Sequence, residues 1–546
     1  VALIFLAGLT GASLWAVQPP SPLGRDAPAG EFSGARAYAH VERIGQHVHV
    51  AGSSAADDVR AYIVQTLKDD GLDPRIQDAV GADDALGDGY TMARVRNVVA
   101  VLPGTNSTGR SVMVAHYDSV QVSYGANDDG AGVAALLETV RALKAGPPLK
   151  NDIVFVFTEA EEACLCGAEA FVHADPLAAD GGVVLNFEAR GSSGPAIMFE
   201  TTRDNAGVVG VYGDAVPYPV ATSFAVEVYR ILPNDTDFSP FRDAGRFTGL
   251  NTAYIDGSAV YHSPEDRPEY MDRASLQHHG SNALALARAF GGGDLKTLSQ
   301  PSAADATYFP ILRQLVRYPG WLVGPLAVLA LVAVLALAWL GHRRGRSGYG
   351  RLTAAFGLAL VPILLAPVLA QVLWAVLVAV RPGYRPMLDP WWPDWFRLAV
   401  VALVATTLLL WYALLRKRFG SWALAVGGLA WLAVLGLVLA AAAPGGSYLT
   451  ALPALGGGIA GIVALSTRTG WVKLLALTLG AAVAVVILAP TVLLFFPALG
   501  LATGGAAAFF AVLLGMTLIL LLPRRRAWWP AIGAALAFVV FLGVGL

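Results

Sequence analysis

The amino-acid sequence predicts two structural parts: an α/β domain, built as a three-layer sandwich around a mostly parallel central sheet, and an all-α bundle of transmembrane helices. The chain has 546 residues, too many for one ordinary domain. Its hydrophobic share of 55% and charged share of 14% lie outside the usual range of soluble proteins. Charged residues are concentrated between residues 25 and 300, and the chain beyond residue 319 consists of apolar runs joined by short loops.

Strands and helices alternate in the charged part. The runs typical of buried strands are residues 97–102, 111–115, 153–158 and 183–187, and the stretches with helical periodicity are residues 56–70, 131–145 and 271–290. This alternation predicts a largely parallel sheet with helices on its faces. Because ligand sites of such sheets form at the carboxyl ends of the strands, polar residues just after these runs are candidates for a functional site.

Membrane-spanning segments are predicted on both sides of this domain. Residues 1–17 form an apolar stretch at the short limit for a transmembrane anchor or a signal peptide. About eight later runs are long enough to span a bilayer: residues 320–340, 352–380, 398–415, 421–442, 449–466, 472–496, 502–522 and 527–546. We therefore expect an exported domain over residues 25–297, a linker over residues 298–318 and a membrane bundle over residues 319–546.

Basic residues between these runs predict the orientation, because cytoplasmic loops are rich in Lys and Arg. Basic loops alternate with loops poor in basic residues; the basic loops contain Arg343, Arg344, Arg346 and Arg351, then Arg416, Lys417 and Arg418, then Arg468 and Lys473, then Arg524, Arg525 and Arg526. With these loops in the cytoplasm, residues 25–318 lie on the extracytoplasmic side. The loop over residues 381–397 has arginines of its own, but its Trp and Tyr residues suit the membrane interface.

Composition also argues against several classes of function. A net charge of -2 gives no basic surface for nucleic acid. The apolar runs beyond residue 319 have no Asp, Glu, Lys, Arg or His at their centres, where Gln371 is the one strongly polar residue. Ion-coupled transporters and intramembrane proteases need ionisable groups at that depth. We interpret the bundle as an anchor and scaffold, with a conduit for lipid or peptide as the alternative.

The chain has two cysteines, Cys164 and Cys166. With a single residue between them, a disulfide joining the two is expected to be geometrically poor. The sequence therefore predicts two small buried side chains at a junction between a loop and a helix, and a fold that does not depend on disulfides.

Five short stretches of the exported domain carry side chains that bind metal ions. They are His116 and Asp118 in VAHYDS, Asp128 in GANDDG, Glu161 and Glu162 in TEAEEA, Glu188 in NFEARG, and His262 in YHSPED. Two histidines with several carboxylates are typical of a two-metal hydrolytic site. Each has an ordinary structural alternative; for example, Asp128 or Asp129 could simply cap the helix that follows. Five such stretches in one domain favour the metal site.

The positions of the acidic residues in the sequence suggest different roles for them. Glu161 and Glu162 follow a buried strand, where two neighbouring carboxylates repel unless a cation binds one of them. One ligand beside one general base is the simplest assignment. Glu188 ends a core strand, so its charge needs a partner. His262 lies in a loop followed by Pro264 and is interpreted as the closing ligand.

Together, the motifs HYDS, GANDDGAG, EAEE, NFEARG and YHSPED resemble those of the co-catalytic zinc peptidases of the aminopeptidase Y type, over residues 40–297. One N-terminal span, a peptidase domain and about eight further spans form a layout similar to the membrane-bound branch of that family, typified by the endoplasmic reticulum metallopeptidases and the vacuolar membrane proteases. The resemblance implies an α/β fold of the zinc-aminopeptidase type and two Zn²⁺ ions as cofactors.

The resemblance also implies a set of metal ligands. Asp128 would bridge the two zinc ions. Glu162 and His262 would complete the coordination of one ion, and His116 and Glu188 that of the other. Soluble members of the family usually have Asp at the position of Glu188, and the longer side chain is similar to the membrane-bound branch.

Three further roles follow from the same resemblance. Glu161 would be the general base, Asp118 would be the partner that orients the His116 imidazole, and Tyr261 would donate a hydrogen bond to the oxyanion. These roles imply a membrane-anchored metallopeptidase, an aminopeptidase with peptide substrates that acts outside the cytoplasm. Membrane lipid is the second partner, and nucleic acid is not expected. The alternatives are a catalytically inactive, chaperone-like scaffold on a peptidase fold and a glutaminyl-cyclase-like acyl transferase.

Overall fold

The structure is a computed structural model that describes residues 1–83, 90–522 and 528–546. The chain divides into two compact units. The α/β unit consists of Gln18–Pro319, and the helical unit consists of Val1–Val17 together with Gly320–Leu546.

The described residues form the following elements. The strands are β1 (Arg75–Asp83), β2 (Thr91–Leu102), β3 (Arg110–His116), β4 (Asp152–Thr158), β5 (Gly182–Ala189), β6 (Ser193–Thr201), β7 (Phe247–Asp256), β8 (Ala306–Ile311) and β9 (Gln314–Pro319). The helices are α1 (Ala2–Ala16), α2 (Gly34–Ile44), α3 (Ser54–Asp69), α4 (Gly130–Lys144), α5 (Glu161–Cys164), α6 (Cys166–Ala174), α7 (Ala206–Ala215), α8 (Ser223–Tyr229), α9 (Phe238–Asp243), α10 (Arg273–Gly292), α11 (Leu295–Leu298), α12 (Val323–Arg343), α13 (Tyr349–Val380), α14 (Asp394–Phe419), α15 (Ser421–Ala442), α16 (Tyr448–Ser466), α17 (Gly470–Leu499), α18 (Gly505–Thr517) and α19 (Trp528–Gly545).

Seven strands form one mixed sheet in the order β1-β2-β4-β3-β5-β7-β6. The four central strands, β4, β3, β5 and β7, are parallel to one another. The outer strands pair antiparallel: β1 with β2, β2 with β4 and β6 with β7. The prediction of a mostly parallel central sheet is therefore confirmed. The predicted strands coincide with β2 to β5 and the predicted helices with α3, α4 and α10.

Apolar side chains cover both faces of the sheet, which makes the unit a three-layer sandwich. Alternate residues of a strand point to opposite faces, so Met113 of β3 joins one core and Val114 joins the other. The first core includes α4 and α10, and the second includes Phe171 of α6 and Phe241 of α9. Each fully buried side chain of this size stabilises the fold by about 1.5–3 kcal/mol. The two cores hold the sheet, and with it the carboxyl ends of the central strands, in position.

Residues 298–318, which the sequence predicts to be a linker, contain the antiparallel hairpin of β8 and β9. Tyr308 and Leu315 of this hairpin are buried in the same core as Tyr212 of α7. The hairpin therefore packs as part of the α/β unit rather than as an unstructured connection. Its strands have only six residues each, and β8 includes Pro310.

In the described residues, seven helices of the helical unit are long and apolar enough to cross a membrane. Their ranges are Gly320–Arg343, Tyr349–Val380, Asp394–Phe419, Ser421–Ala442, Tyr448–Ser466, Gly470–Leu499 and Trp528–Gly545. The predicted runs 1–17 and 502–522 form shorter helices, α1 with 15 residues and α18 with 13, because α18 gives way to a 3₁₀ turn at Ile519–Leu521. The length and composition of the seven long helices support an integral membrane protein.

Two further features of the helical unit bear on the predictions. Leu6 of α1 packs with Ala481 and Val485 of α17, so the first apolar stretch is part of this unit. In the loop over residues 381–397, Arg397 pairs with Asp389 at 2.7 Å. The predicted basic residues Arg524, Arg525 and Arg526 lie outside the described residues.

Candidate metal centre

The carboxyl ends of the central strands bring the predicted site residues together. His116 is the last residue of β3, and Glu188 lies next to the end of β5, which pairs with β3. Glu161 and Glu162 open α5, shortly after the end of β4. Because β3, β4 and β5 are parallel, these ends lie at one edge of the sheet.

The two remaining ligand candidates lie in loops at the same edge. Asp128 precedes α4, and the adjacent Asp129 caps that helix by accepting the backbone N–H of Gly132 at 3.0 Å. The cap is therefore Asp129, and Asp128 has another role. The peptide bond between the two aspartates is cis. His262 follows β7 and the 3₁₀ turn Ser258–Val260.

Asp128 lies between the two histidines. Its Oδ1 atom is 3.2 Å from Nε2 of His116, and its Oδ2 atom is 3.2 Å from Nε2 of His262. One carboxylate thus faces two imidazoles with different oxygen atoms. This arrangement suits a ligand that two cations share.

Each histidine also has a carboxylate of its own. Oε2 of Glu188 is 3.5 Å from Nε2 of His116, and Oε2 of Glu162 is 3.1 Å from Nε2 of His262. Oε2 of Glu161 is 4.0 Å from the same His116 nitrogen. Candidate donor atoms lie within 4.8 Å of one another in two overlapping groups: His116, Glu161 and Glu188, and His116, Asp128 and Glu162.

Asp118 connects His116 to the two adjacent glutamates. Its carboxylate accepts the backbone N–H groups of Glu161 at 3.1 Å and Glu162 at 3.4 Å. Nδ1 of His116 is 3.0 Å from the main-chain oxygen of Asp118 and 3.7 Å from its carboxylate. Asp118 therefore contacts His116, as the sequence predicts. The main-chain oxygen of Asp118 is closer to the imidazole than its carboxylate is. A Nδ1–H donor there leaves Nε2 to face Asp128.

Burial and like charges perturb the acids of this cluster. Burial raises the pKa of Glu161 well above its usual value, and the charges of Glu188 and Glu162 act in the same direction. Burial, with the nearby charge of Asp128, raises the pKa of Glu162 to about 7. Burial lowers the pKa of His262, but Asp128 and Glu162 outweigh it and raise that pKa to about 10. A bound cation would relieve the same repulsion without protons.

The residues fit a metal ion by chemistry as well as by position. In the part of the chain that the structure describes, Oδ2 of Asp128 and Oε1 of Glu162 are buried and accept no hydrogen bond. An unsatisfied buried acceptor costs about 1–3 kcal/mol, and more for a charged group. Imidazole nitrogens and carboxylate oxygens are donors that zinc accepts. A cation at the centre would therefore satisfy these atoms.

Asp266, which sequence reasoning did not single out, holds the Asp128 loop in place. Its buried carboxylate accepts the backbone N–H of Asn127 at 2.8 Å, the Asn127 side-chain amide at 2.7 Å and the backbone N–H of Asp128 at 3.2 Å. Tyr254 of β7 donates to the other end of the Asn127 amide at 2.7 Å. Because Asp266 lies four residues after His262, it ties the loops of two candidate ligands together. Its position at the end of the YHSPED motif marks it in the sequence but does not show which backbone groups its carboxylate contacts.

Tyr261 lies against the imidazole of His262, with ring centroids 3.8 Å apart. The guanidinium carbon of Arg190 is 5.8 Å from the centre of the same tyrosine ring. Burial and the charges of Asp128, Glu162 and Glu161 raise the pKa of Tyr261. The phenol therefore keeps its proton at neutral pH, as a hydrogen-bond donor must.

Asp237, which precedes α9, is a further buried acid of the α/β unit. Its Oδ2 accepts a hydrogen bond from the Thr158 hydroxyl at the end of β4. Burial, together with the charge of Glu188, raises the pKa of Asp237 to about 8. Its neighbour Asp235 points elsewhere and accepts from Ser239 at 2.7 Å.

The expectation of two separate cysteines is wrong. Cys164 and Cys166, between α5 and α6, form a disulfide. Leu165 between them has a positive φ of 50°, and this turn brings the two Cα atoms to 4.9 Å, inside the range that a disulfide spans. The sequence spacing alone could not show that turn.

Residues 97–287 match the model of peptidase family M28, and this segment includes every predicted site residue. Endoplasmic reticulum metallopeptidase 1 of Rattus norvegicus is 33% identical over 266 residues, which cover 47% of this chain and 30% of that protein. Vacuolar membrane protease of Candida albicans strain WO-1 is 32% identical over 251 residues, which cover 45% of this chain and 29% of that protein. The chain thus spans less than a third of the length of these relatives.

Among solved structures, an aminopeptidase from Aneurinibacillus sp. strain AM-1 is 15% identical, with a TM-score of 0.40, over 51% of this chain and 98% of that chain. The family match and the curated relatives confirm the predicted resemblance to membrane-bound metallopeptidases. The α/β unit carries a peptidase family M28 domain.

Proposed function

We propose that this chain, with its peptidase family M28 domain, hydrolyses peptide bonds at a two-zinc centre and acts as an aminopeptidase outside the cytoplasm. The observation that carries the proposal is the position of Asp128, whose two oxygen atoms face His116 and His262. Two relatives, a metallopeptidase and a membrane protease, are named for this class of reaction.

The ligand assignment follows from the shortest distances. Asp128 is the shared ligand. Glu162, at 3.1 Å from His262, joins that histidine on one ion. Glu188 is closer to His116 than Glu161 is, at 3.5 Å against 4.0 Å, so Glu188 is the ligand on the other side.

Glu161 is then the carboxylate that remains for proton transfer. Zinc held by these ligands would lower the pKa of water and polarise the scissile carbonyl. Glu161 takes a proton from the attacking water and delivers it to the departing amine. Asp118 holds the backbone of Glu161 and Glu162, which keeps base and ligand side by side.

Tyr261 supports the developing oxyanion. Its phenol stays protonated because burial and the neighbouring acids raise its pKa. Stacking on His262 fixes the ring next to a ligand of the centre. A positioned donor of this kind stabilises charge that appears only in the transition state.

The distribution of basic residues supports an extracytoplasmic peptidase unit. Basic residues lie at the ends of α12 and α14 and near the start of α17, while the loops at the opposite ends of these helices are poor in them. The exception is the loop over residues 381–397, where Arg397 is neutralised by Asp389. By the positive-inside rule, residues 18–319 lie outside the cytoplasm.

Two alternatives make different demands on the site. An inactive scaffold needs no intact set of ligands, whereas every predicted ligand is present here within 3.5 Å of a histidine partner. A glutaminyl-cyclase-like transferase needs one metal ion, and the shared position of Asp128 favours two. Metal analysis separates the three: two zinc ions per chain for the peptidase, one for the cyclase and none for the scaffold.

The test is digestion of a peptide library by the purified, zinc-loaded, full-length protein, read by mass spectrometry. We expect removal of residues one at a time from free N-termini. Cleavage inside peptides with blocked N-termini would overturn the aminopeptidase assignment. The absence of any cleavage by a protein that holds two zinc ions would overturn the peptidase proposal itself.

A further inference from the structure

We infer that Arg190 is a specificity-determining residue that binds a substrate carboxylate carried by the residue after the scissile bond. The inference rests on the proposed peptidase function and names its substrate class: dipeptides with a free C-terminus, or peptides with an acidic residue at that position. Both substrates offer the same group, a carboxylate next to the bond that is cut.

Arg190 lies at the same sheet edge as the candidate ligands. Its backbone N–H donates to the Tyr254 carbonyl at 3.0 Å, so the pairing of β5 with β7 continues past Ala189. Arg190 directly follows the last residue of β5, two positions after Glu188, which is beside His116.

The guanidinium contacts an aromatic ring at the edge of the metal centre. It lies over the Tyr261 ring, which in turn stacks on His262 at 3.8 Å. Consecutive ring contacts thus connect Arg190 to His262.

Within residues 1–83, 90–522 and 528–546, the Arg190 guanidinium has no ion pair and no hydrogen bond. Two other half-buried arginines of the α/β unit have acidic partners: Arg96 pairs with Asp57 at 2.7 Å and Arg242 with Glu200 at 2.7 Å. Arg190 is half-buried, and a partly desolvated charge calls for a partner. The acidic ligand candidates Glu188 and Asp128 already face histidines.

The missing partner is best supplied by substrate. Guanidinium binds carboxylates through two parallel N–H donors, and such bonds to charged groups are stronger than neutral ones. A terminal carboxylate on the residue after the scissile bond is three covalent bonds from the carbonyl that is attacked. It therefore lies beside the metal centre, where Arg190 is.

The test compares matched dipeptides on the zinc-loaded, full-length enzyme in lipid nanodiscs. Ala-Ala against Ala-Ala-amide measures the preference for a terminal carboxylate. Ala-Glu-amide against Ala-Gln-amide measures the preference for a side-chain carboxylate. We expect Arg190→Gln to reduce at least one of these kcat/KM ratios by about ten- to a hundredfold, chiefly through KM. Arg190→Lys, which keeps the charge but not the paired donors, should retain part of the preference.

A matched control is Arg203→Gln. Arg203 is exposed and follows the end of β6, which pairs with the start of β7 at the opposite edge of the sheet from the ligands. This variant removes the same charge and should leave both ratios at the wild-type value.

A second readout does not depend on turnover. In a Glu161→Gln background, which should bind substrate without cleaving it, calorimetry gives the dissociation constants of Ala-Ala and Ala-Ala-amide. Adding Arg190→Gln should raise the dissociation constant of Ala-Ala by about tenfold or more. The dissociation constants of Ala-Ala and Ala-Ala-amide should then differ less. Unchanged ratios in both peptide pairs, for Gln and Lys variants that bind two zinc ions, would overturn the inference. A zinc-loaded wild-type enzyme that cleaves no peptide would instead overturn the proposed function.

Discussion

The two units of this protein differ in how they bury charge. Among the described residues, the α/β unit buries many acids and imidazoles, and Asp128, Glu188 and His116 converge at one sheet edge. In residues 1–17, 320–522 and 528–546, the buried charged side chains are Asp389 and Arg397, which lie 2.7 Å apart. Buried ionisable groups are therefore concentrated in the α/β unit, and the helical unit is predominantly apolar.

The chain offers a direct way to follow the two units separately. All 13 tryptophans lie in residues 1–17 or 320–546, which form the helical unit. Tryptophan fluorescence therefore reports on the helical unit alone. Zinc content and peptide hydrolysis report on the α/β unit, so each substitution below can be assigned to one unit.

The largest effect is expected from Glu161→Gln. Loss of the proposed general base should reduce kcat by about 10²- to 10⁴-fold, because a positioned base contributes a factor of that size. Zinc content should stay near two ions per chain, since the ligands are unchanged. Stopped assays with a dipeptide and elemental analysis measure the two quantities. Gln371→Leu, which removes a polar residue of α13, is the control in the helical unit and should leave kcat unchanged; a wild-type rate for Glu161→Gln would reassign the base.

Asp389→Ala should destabilise the helical unit and leave the metal centre unchanged. The substitution removes the buried carboxylate that lies 2.7 Å from the Arg397 guanidinium, and the largely exposed carboxylate of Asp394, at 3.5 Å, remains. Breaking a buried ion pair costs about 3–5 kcal/mol, and the remaining Asp394 contact should keep the loss towards the lower end of that range. The loss should appear in the tryptophan-monitored unfolding of the helical unit, with zinc content unchanged. A loss of zinc binding in this variant would show that the two units are not separable in the way proposed.

Asp266→Asn should weaken zinc binding without removing a ligand. The Asn side chain replaces one accepting oxygen with a donor that faces the N–H groups of Asn127 and Asp128. Supporting residues of this kind typically change metal affinity by about 10- to 100-fold. Competition with a zinc-binding dye measures the affinity, and exposed Asp294→Asn should leave it unchanged. Equal affinities would mean that Asp266 does not position Asp128.

The smallest expected effect is a change in the pH dependence of stability. It comes from His279, a buried imidazole that is not a candidate metal ligand. Burial lowers the pKa of His279 on α10 from 6.5 to about 3, and its ring packs against Phe187 and Tyr254. The unfolded chain therefore binds a proton that the folded chain does not as pH falls below 6.5. Stability from this group is complete above pH 6.5 and is lost towards pH 3, by at most about 1.4 kcal/mol per pH unit.

Hydrogen exchange of the α10 amides between pH 7 and pH 5 measures that slope. His279→Phe should make the slope shallower, and exposed His173→Gln should not. A slope that His279→Phe leaves unchanged would mean that the imidazole is protonated in the folded state.

The sequence predicted those elements best whose residue pattern has a single physical explanation. Continuous apolar runs gave strands β2 to β5, because a central strand is buried on both faces. Strand β7 was missed because its buried face includes Asn251 and Thr252, and β1 because it lies at the edge and is largely exposed. The β8–β9 hairpin was missed because it is stabilised by distant core residues.

The same contrast holds for the site. His116, Asp128, Glu161, Glu162, Glu188 and His262 could be selected from the sequence because metal chemistry restricts the residue types. Asp266, Arg190 and the Cys164–Cys166 disulfide could not, since each depends on which backbone or ring lies opposite. Buried acids after a histidine motif and unpaired arginines after a ligand are recognisable only once the chain is folded.

The most direct test of the central claim is an anomalous difference map at the zinc absorption edge from crystals of the zinc-loaded protein. The account predicts two peaks, about 3.5–4 Å apart, one on each side of Asp128. One should lie beside His116 and Glu188 and the other beside Glu162 and His262. A single peak, or two peaks that do not share Asp128, would contradict the account.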